Sequence, residues 1–284
     1  MINHLTKKYC LYDGIKIFFI EKNKVIITTT KVANKHFTKM VNELDKSFYI
    51  NPIPTNLNSG FNYKNFYYQV HDSNSITSDE IQECVKNFFE NNKEIKVCIL
   101  TRNPYKRLIS GVSQILFHNN EFESILKNKH NDIYHQLNYL SNELQLKKID
   151  KNFILTNYIS SKELDILFKT ITEWSIKNYK YITYNDHVSD YNFQLYNFLY
   201  NFKINKYTLL DIDKEDLSTS ISFMDLSVSE YTSDMNNIVY NKVILLYFEY
   251  IERMLGNSNY DDFISFILNK LKYENTFYNI INKL

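Results

Sequence analysis

Glycine and proline are scarce in this chain, four and three residues in 284. So few breakers leave no stretch that reads as a flexible linker. No Ser-rich segment, charge block or internal repeat divides the sequence either. One domain over residues 1–284 is the simplest reading, and a chain this long can bury a full core without staples. Cys10, Cys84 and Cys98 are odd in number and lack C-x-x-C spacing. That speaks against zinc and for reduced thiols in a reducing compartment. No apolar run approaches the ~20 residues of a membrane span. "MINHLTKKYCLYDG" carries no apolar signal core. The expectation is a soluble, cytoplasmic protein. A formal net charge of +1 gives no global field for nucleic acid or anionic membrane, so neither is an expected partner. Recognition falls to local sites.

Arginine is also rare: Arg102, Arg107 and Arg253 are the only three. The chain is rich in Asn, Lys, Ile and Tyr, which suggests an AT-rich coding genome, microbial or viral. Scarcity makes each arginine informative, because Arg gives planar, bidentate recognition of oxyanions and Lys does not. Two of the three lie close together in "TRNPYKRLIS".

What is present reads as α/β. "IKIFFI" and "VIITTT" are β-rich runs separated by the polar "EKNK". Phe37, Met40, Val41 and Leu44 then recur at helical spacing. "NFYYQV" (65–70) reads as a strand and "SDEIQECVKNFFENN" as a helix capped by Ser78. "IKVCILT" (95–101) is a near-continuous apolar strand, the pattern of a strand covered on both faces. In "RNPYKRLISGVSQILF", Asn103 suits the N-cap and Pro104 the first helical position. Leu108, Val112, Ile115 and Leu116 form its apolar stripe. Alternation of strand and helix over the first 120 residues predicts a parallel sheet with crossover helices. The rest reads as mostly helical, with helices near 161–174, 190–202, 234–255 and 260–272. "YTLLDID" (207–213) reads as one further strand, with a short helix near "KEDLSTSI".

Two segments stand where α/β proteins bind anions. "VIITTTKVANKHF" runs from strand through a short polar loop into a helix. A helix N-terminus offers unpaired N–H groups and the positive end of a dipole. The Walker pattern is absent, which counts against an ATPase, a GTPase or a nucleotide kinase-like enzyme. Thr28, Thr29, Thr30 and Ala33 are small enough to let backbone approach a phosphate. Lys31 is either a cation inside the turn or a solvated loop lysine. In the second segment Arg102 follows the carboxyl end of a buried strand, where ligands of α/β sheets bind. Ser110 lies two turns into the next helix. Arg102 and Ser110 either hold a phosphate together, or Arg102 pairs structurally with a carboxylate.

Strand, K-x-A loop and helix, then roughly seventy residues on a strand, "TRNPYKRLIS" and a helix: this resembles the PAPS-dependent sulfotransferases, and within them the Golgi-type carbohydrate branch. "TRNPYKRLIS" is similar to that family's 3′-phosphate motif, and "TTTKVANKHF" to its 5′-phosphosulfate loop at Lys31, Val32 and Ala33. "YTLLDIDKEDLSTSI" and "YTSDMNNIVYNKVILLYFEYIERMLGNSNY" resemble the family's late strand with its acidic segment and its C-terminal helix. The resemblance implies a P-loop-like central parallel sheet flanked by helices, with a mainly helical C-terminal half. It implies 3′-phosphoadenosine 5′-phosphosulfate (PAPS) as co-substrate. Thr30, Lys31, Val32, Ala33, Asn34 and Lys35 would hold its 5′-phosphosulfate, largely through backbone N–H groups. Arg102 and Ser110 would hold its 3′-phosphate. Arg107 belongs to the motif, but as a helix residue it could instead support the fold through a carboxylate. Two departures stand out: Lys35 and His36 occupy positions where the family often carries hydroxyls, and Asn103 replaces the usual Asp.

Sulfuryl transfer rests on positioning and electrostatic stabilisation, as phosphoryl transfer does. A cation at the bridging oxygen, Lys31, suits the departing phosphate, and a general base takes the hydroxyl proton. The transfer needs no metal, and the sequence shows no metal-ligand cluster. His71, after the strand "NFYYQV", is the leading base candidate. It is either that or a loop histidine beside Asp72. His187 in "YNDHVSDYNFQ" is the second, and Glu43 on the first helix is weaker. His36 sits near the loop and reads as structural or phosphate-facing. The expected acceptor is a glycan or small-molecule hydroxyl. The rival reading is a non-catalytic nucleotide- or anion-binding protein with the same fold. Oligomeric state is not readable.

Overall fold

The computed structural model describes residues 15–21, 24–29, 32, 89, 94–212, 235–254 and 261–283. Its strands are β1 (Lys16–Glu21), β2 (Lys24–Thr28), β3 (Lys96–Thr101) and β4 (Thr208–Asp211). Its helices are α1 (Pro104–Phe117), α2 (Asn120–Lys129), α3 (Asn131–Gln145), α4 (Ser161–Lys177), α5 (Tyr179–Thr183), α6 (Tyr191–Asn201), α7 (Met235–Arg253) and α8 (Asp261–Ile281). Single 3-10 turns stand at Leu155–Asn157 and Asp186–Val188. The described residues group into two compact units. One draws on Met1–Pro104, Asp190–Tyr231 and Tyr273–Leu284, the other on Tyr105–Ser189 and Thr232–Lys272.

The first unit holds the sheet, in the order β1-β2-β3-β4. β2 pairs in parallel with β3, Ile27 opposite Ile99, and β3 in parallel with β4, Thr101 opposite Asp211. The predicted parallel sheet holds for these three strands. β1 differs, running antiparallel to β2. Two residues separate β1 from β2, too few for the crossover that a parallel pair requires. β2 and β3 are strands for the reason their composition suggested. Val25, Ile26, Ile27, Val97, Cys98, Ile99 and Leu100 are all buried, so β-branched and apolar side chains fill both faces. In the same unit α6 buries Leu195, Phe198 and Leu199. The last turns of α8 are tied down by polar bonds. Tyr278 donates its hydroxyl to Asp211 Oδ2 at 3.0 Å, and Tyr207 donates to the Ile281 carbonyl at 3.1 Å. The buried Glu274 carboxylate accepts from the Asn192 N–H at 3.2 Å, satisfying one of the open donors at the start of α6.

The second unit is helical, as expected for the later part of the chain. α1 begins at Pro104, and Leu108, Val112, Ile115 and Leu116 are its buried stripe as read from the sequence. α2 starts at Asn119, whose side chain accepts from the Glu121 and Phe122 N–H groups at 2.9 and 3.2 Å. α4 starts on a capping box, Ser160 with Glu163. Leu137 and Leu140 of α3, Leu167 and Trp174 of α4, and Val239, Val243 and Tyr247 of α7 join α1 in one core. Among the described residues no helix is long and apolar enough to cross a membrane.

Candidate functional site

Because β2, β3 and β4 are parallel, their carboxyl ends share one edge of the sheet. Thr28 and Thr29, Thr101 and Arg102, and Asp211 stand there, all in the first unit. This edge is where open α/β sheets bind ligands. Among the described strands the order follows the chain, with no reversal.

Beyond β2 the chain turns at once. The Val32 N–H donates to the Thr29 carbonyl at 3.2 Å, and the Thr28 hydroxyl donates to the Val32 carbonyl at 2.7 Å. Thr28 and Thr29 thus supply the turn as well as small size, and Val32 is only 2% exposed. Of the loop N–H groups assigned to phosphate, that of Val32 has a protein acceptor. Thr30, Lys31, Ala33, Asn34 and Lys35 lie outside the described residues, as do His36, Glu43 and His71.

Beyond β3 the ladder continues for one bond, the Ile212 N–H to the Thr101 carbonyl at 3.0 Å. Thr101 donates its hydroxyl to the Leu210 carbonyl at 3.3 Å. Arg102 follows directly and is half-buried. Asp211, at the matching end of β4, accepts the Tyr278 hydroxyl. Sequence reasoning did not pick out that pair. The signal was available: "YTLLDID" ends a strand on an acidic residue, the position that the strand-end rule favours.

The motif that follows β3 divides by burial. Tyr105, Arg107 and Leu108 serve the core of the second unit. Tyr105 packs on Phe248 with ring centroids 5.9 Å apart. Burial pushes its phenol up, with Glu252 and Glu249 adding to the rise, so it stays protonated. Arg107 is 1% exposed and donates Nη2 to the Ser189 carbonyl at 3.2 Å. Its burial fits the fold-supporting alternative given for it above, and the Ser189 carbonyl is one of its partners. Ser110 is half-buried on the same helix. Gly111 follows it, and a Cβ there would run into the His187 carbonyl oxygen. The backbone of the Asp186–Val188 turn therefore lies directly on α1, and glycine is what permits it. His187 is half-buried, its N–H donating to Asn185 Oδ1 at 3.0 Å. The second candidate base thus sits in the second unit, against the helix that carries Ser110. Sequence reasoning missed Gly111, although a helix-interior glycine in a chain with only four was a signal for close approach.

Among the described residues no three His, Cys, Asp or Glu side chains gather as a metal-binding group. No family model matches the chain, and neither a curated protein nor a solved structure matches it.

Proposed function

We propose that the chain moves a sulfuryl group from PAPS to a hydroxyl of a carbohydrate or small-molecule acceptor, on a P-loop-like fold. One observation carries the reading. β2 and β3, which lead into the lysine loop and into "RNPYKRLIS", are adjacent parallel strands, so both motifs follow one edge of the sheet. A nucleotide with phosphates at both its 5′ and 3′ positions needs two such anchors. In the proposed step the acceptor oxygen attacks sulfur while the bond from sulfur to the 5′-phosphate oxygen breaks. The acceptor proton goes to a base, and 3′,5′-ADP and a sulfate ester leave. Lys31 stabilises the charge on the departing oxygen. Arg102 binds the 3′-phosphate as a planar donor. His71 takes the proton, and His187 is the second candidate.

Thermal shift tests the co-substrate. The 3′,5′-ADP product should raise the melting temperature, and 5′-AMP and ATP at equal concentration should raise it much less. Equal or absent shifts from all three would refute the assignment. Transfer of labelled sulfate to a panel of glycans and small alcohols tests turnover. Lys31→Ala should abolish it, and activity unaffected by that change would refute the mechanism. Selective binding without transfer would favour a non-catalytic binder.

A further inference from the structure

We infer that the bend from Leu146 to Ile154, which follows α3 in the second unit, docks on an anionic membrane surface. The inference is independent of the sulfuryl-transfer reading. Leu146 and Ile154 are each 62% exposed, and Tyr139 and Tyr158 are exposed as well. Tyr139 and Leu146, the C-cap residue, lie two turns apart on one face of α3. Gln136 Nε2 donates to the Tyr158 carbonyl at 3.3 Å, so the chain beyond the bend returns along that helix. The bend itself carries Lys147, Lys148 and Lys151. They line one open cavity of about 400 Å³ with Leu144, Ile149 and Asp150.

The bend is positive. From Leu146 to Ile154, three lysines meet one acid, Asp150. Lys148 donates to Glu143 Oε1 at 3.1 Å, and the Asp150 carboxylate accepts the Asn152 N–H at 2.6 Å. Among the described residues, Lys147 and Lys151 have no ion-pair partner. Lys147 also has a φ of 55°. Its N–H donates to the Leu144 carbonyl at 3.0 Å and the Lys148 N–H to the Glu143 carbonyl at 2.9 Å, a helix end that favours glycine at this position. A side chain is kept there against a conformational cost. The helix dipole accounts for a cation at this end. It does not account for the aliphatic side chains exposed on either side in sequence.

Lysine stems lie along apolar surface while their ammonium groups reach phosphates, and tyrosine suits the headgroup level. Lysines interleaved with exposed aliphatic residues therefore match an anionic lipid surface in charge and in apolar insertion. A protein partner is a poorer match, because such interfaces are depleted in Lys. Nucleic acid would use the lysines alone. The formal net charge of +1 is a sum over the chain and leaves this local excess in place.

Sedimentation of the full chain with vesicles tests the inference. The chain should co-sediment with phosphatidylcholine vesicles containing phosphatidylserine and stay in solution with phosphatidylcholine alone. Added salt should release it. Lys147→Gln with Lys151→Gln should weaken the partition about twentyfold, since each lysine near the surface is worth roughly fivefold. Leu146→Asp with Ile154→Asp should abolish it at an unchanged thermal melt, because both positions are exposed. Amine labelling of the wild type, read by mass spectrometry, locates the contact without any substitution: vesicles should protect Lys147 and Lys151 more than the other exposed lysines. The inference is overturned by no co-sedimentation, by equal binding to both vesicles, by binding unchanged in either double variant, or by no selective protection. Self-association of the free chain that Leu146→Asp with Ile154→Asp removes would also overturn it, by making a second copy the occupant.

Discussion

Trp174 is the only tryptophan, and its position makes it a reporter for one residue. It is buried in the second unit's core, with its indole N–H donating to Glu121 Oε2 at 3.2 Å. Lys177 donates to the other oxygen of Glu121 at 2.7 Å. The Lys177 hydrogen bond, with the Trp174 N–H adding to it, holds the Glu121 carboxyl below the usual carboxylate range. Folding lowers this pKa. Its contribution is therefore fully present above the ordinary Glu value of ~4.3 and is lost as pH falls through the lower folded value. The ion pair is exposed, so the effect on stability is small. The effect on Trp174 emission should be visible. An acid titration should show a fluorescence step below the usual carboxylate range, and Glu121→Gln should remove it. A step that survives in the variant would show that another group is responsible.

At the scale of elements, two contacts decide how helices are fastened, each to its own unit. α1 meets the Asp186–Val188 turn through the bare Cα of Gly111. Gly111→Ala puts a methyl against backbone, which cannot rotate away. The gain in helix propensity, about 1 kcal/mol, opposes an overpacking cost of about 1–3 kcal/mol. Net destabilisation should appear as a lower urea midpoint at unchanged slope, and a midpoint at or above wild type would contradict the close contact. In the first unit, Tyr278 fastens α8 to the end of β4 through Asp211. Tyr278→Phe removes the donor and leaves a nearly buried carboxylate short of one bond, at a cost of about 1.5–3 kcal/mol. Urea denaturation measures it. Asp211→Asn, which keeps an acceptor oxygen, should cost less than Tyr278→Phe.

At the scale of the whole molecule, neither unit is one continuous piece of chain. Residues 105–189 supply α1 to α5, yet Val239, Val243, Ile244, Tyr247 and Phe248 of α7 complete the same core. Burying each such side chain is worth about 1.5–3 kcal/mol, and the net stability of a domain is only about 5–15 kcal/mol. A fragment of residues 105–189 should therefore show helical circular dichroism without a cooperative melt. Adding 232–272 through a flexible linker should restore one. A sharp transition in the short fragment alone would show that α7 is not needed for that core.

The sequence alone determined the local features. β2 and β3 were legible because Val- and Ile-rich runs of six residues or so bury both faces. The start of α1 was legible because Pro104 suits only a first helical position there, and its buried stripe because apolar residues recur at helical spacing. The phosphate motifs were legible as chemistry, in a lysine loop and a rare arginine at a strand end. Tertiary structure decided what depends on distant residues meeting. Only pairing could show that β1 runs antiparallel, and that β2, β3 and β4 bring Thr28, Arg102 and Asp211 to one edge. Only packing could divide "RNPYKRLIS" between core and surface, sending Tyr105 to Phe248 and Arg107 to Ser189. Nor could spacing announce that Gly111 and His187 touch, since 75 residues of chain separate them. Periodicity and side-chain chemistry are properties of neighbours along the chain. Which strand ends share an edge, and which turn meets which helix, is set by burial in the folded chain.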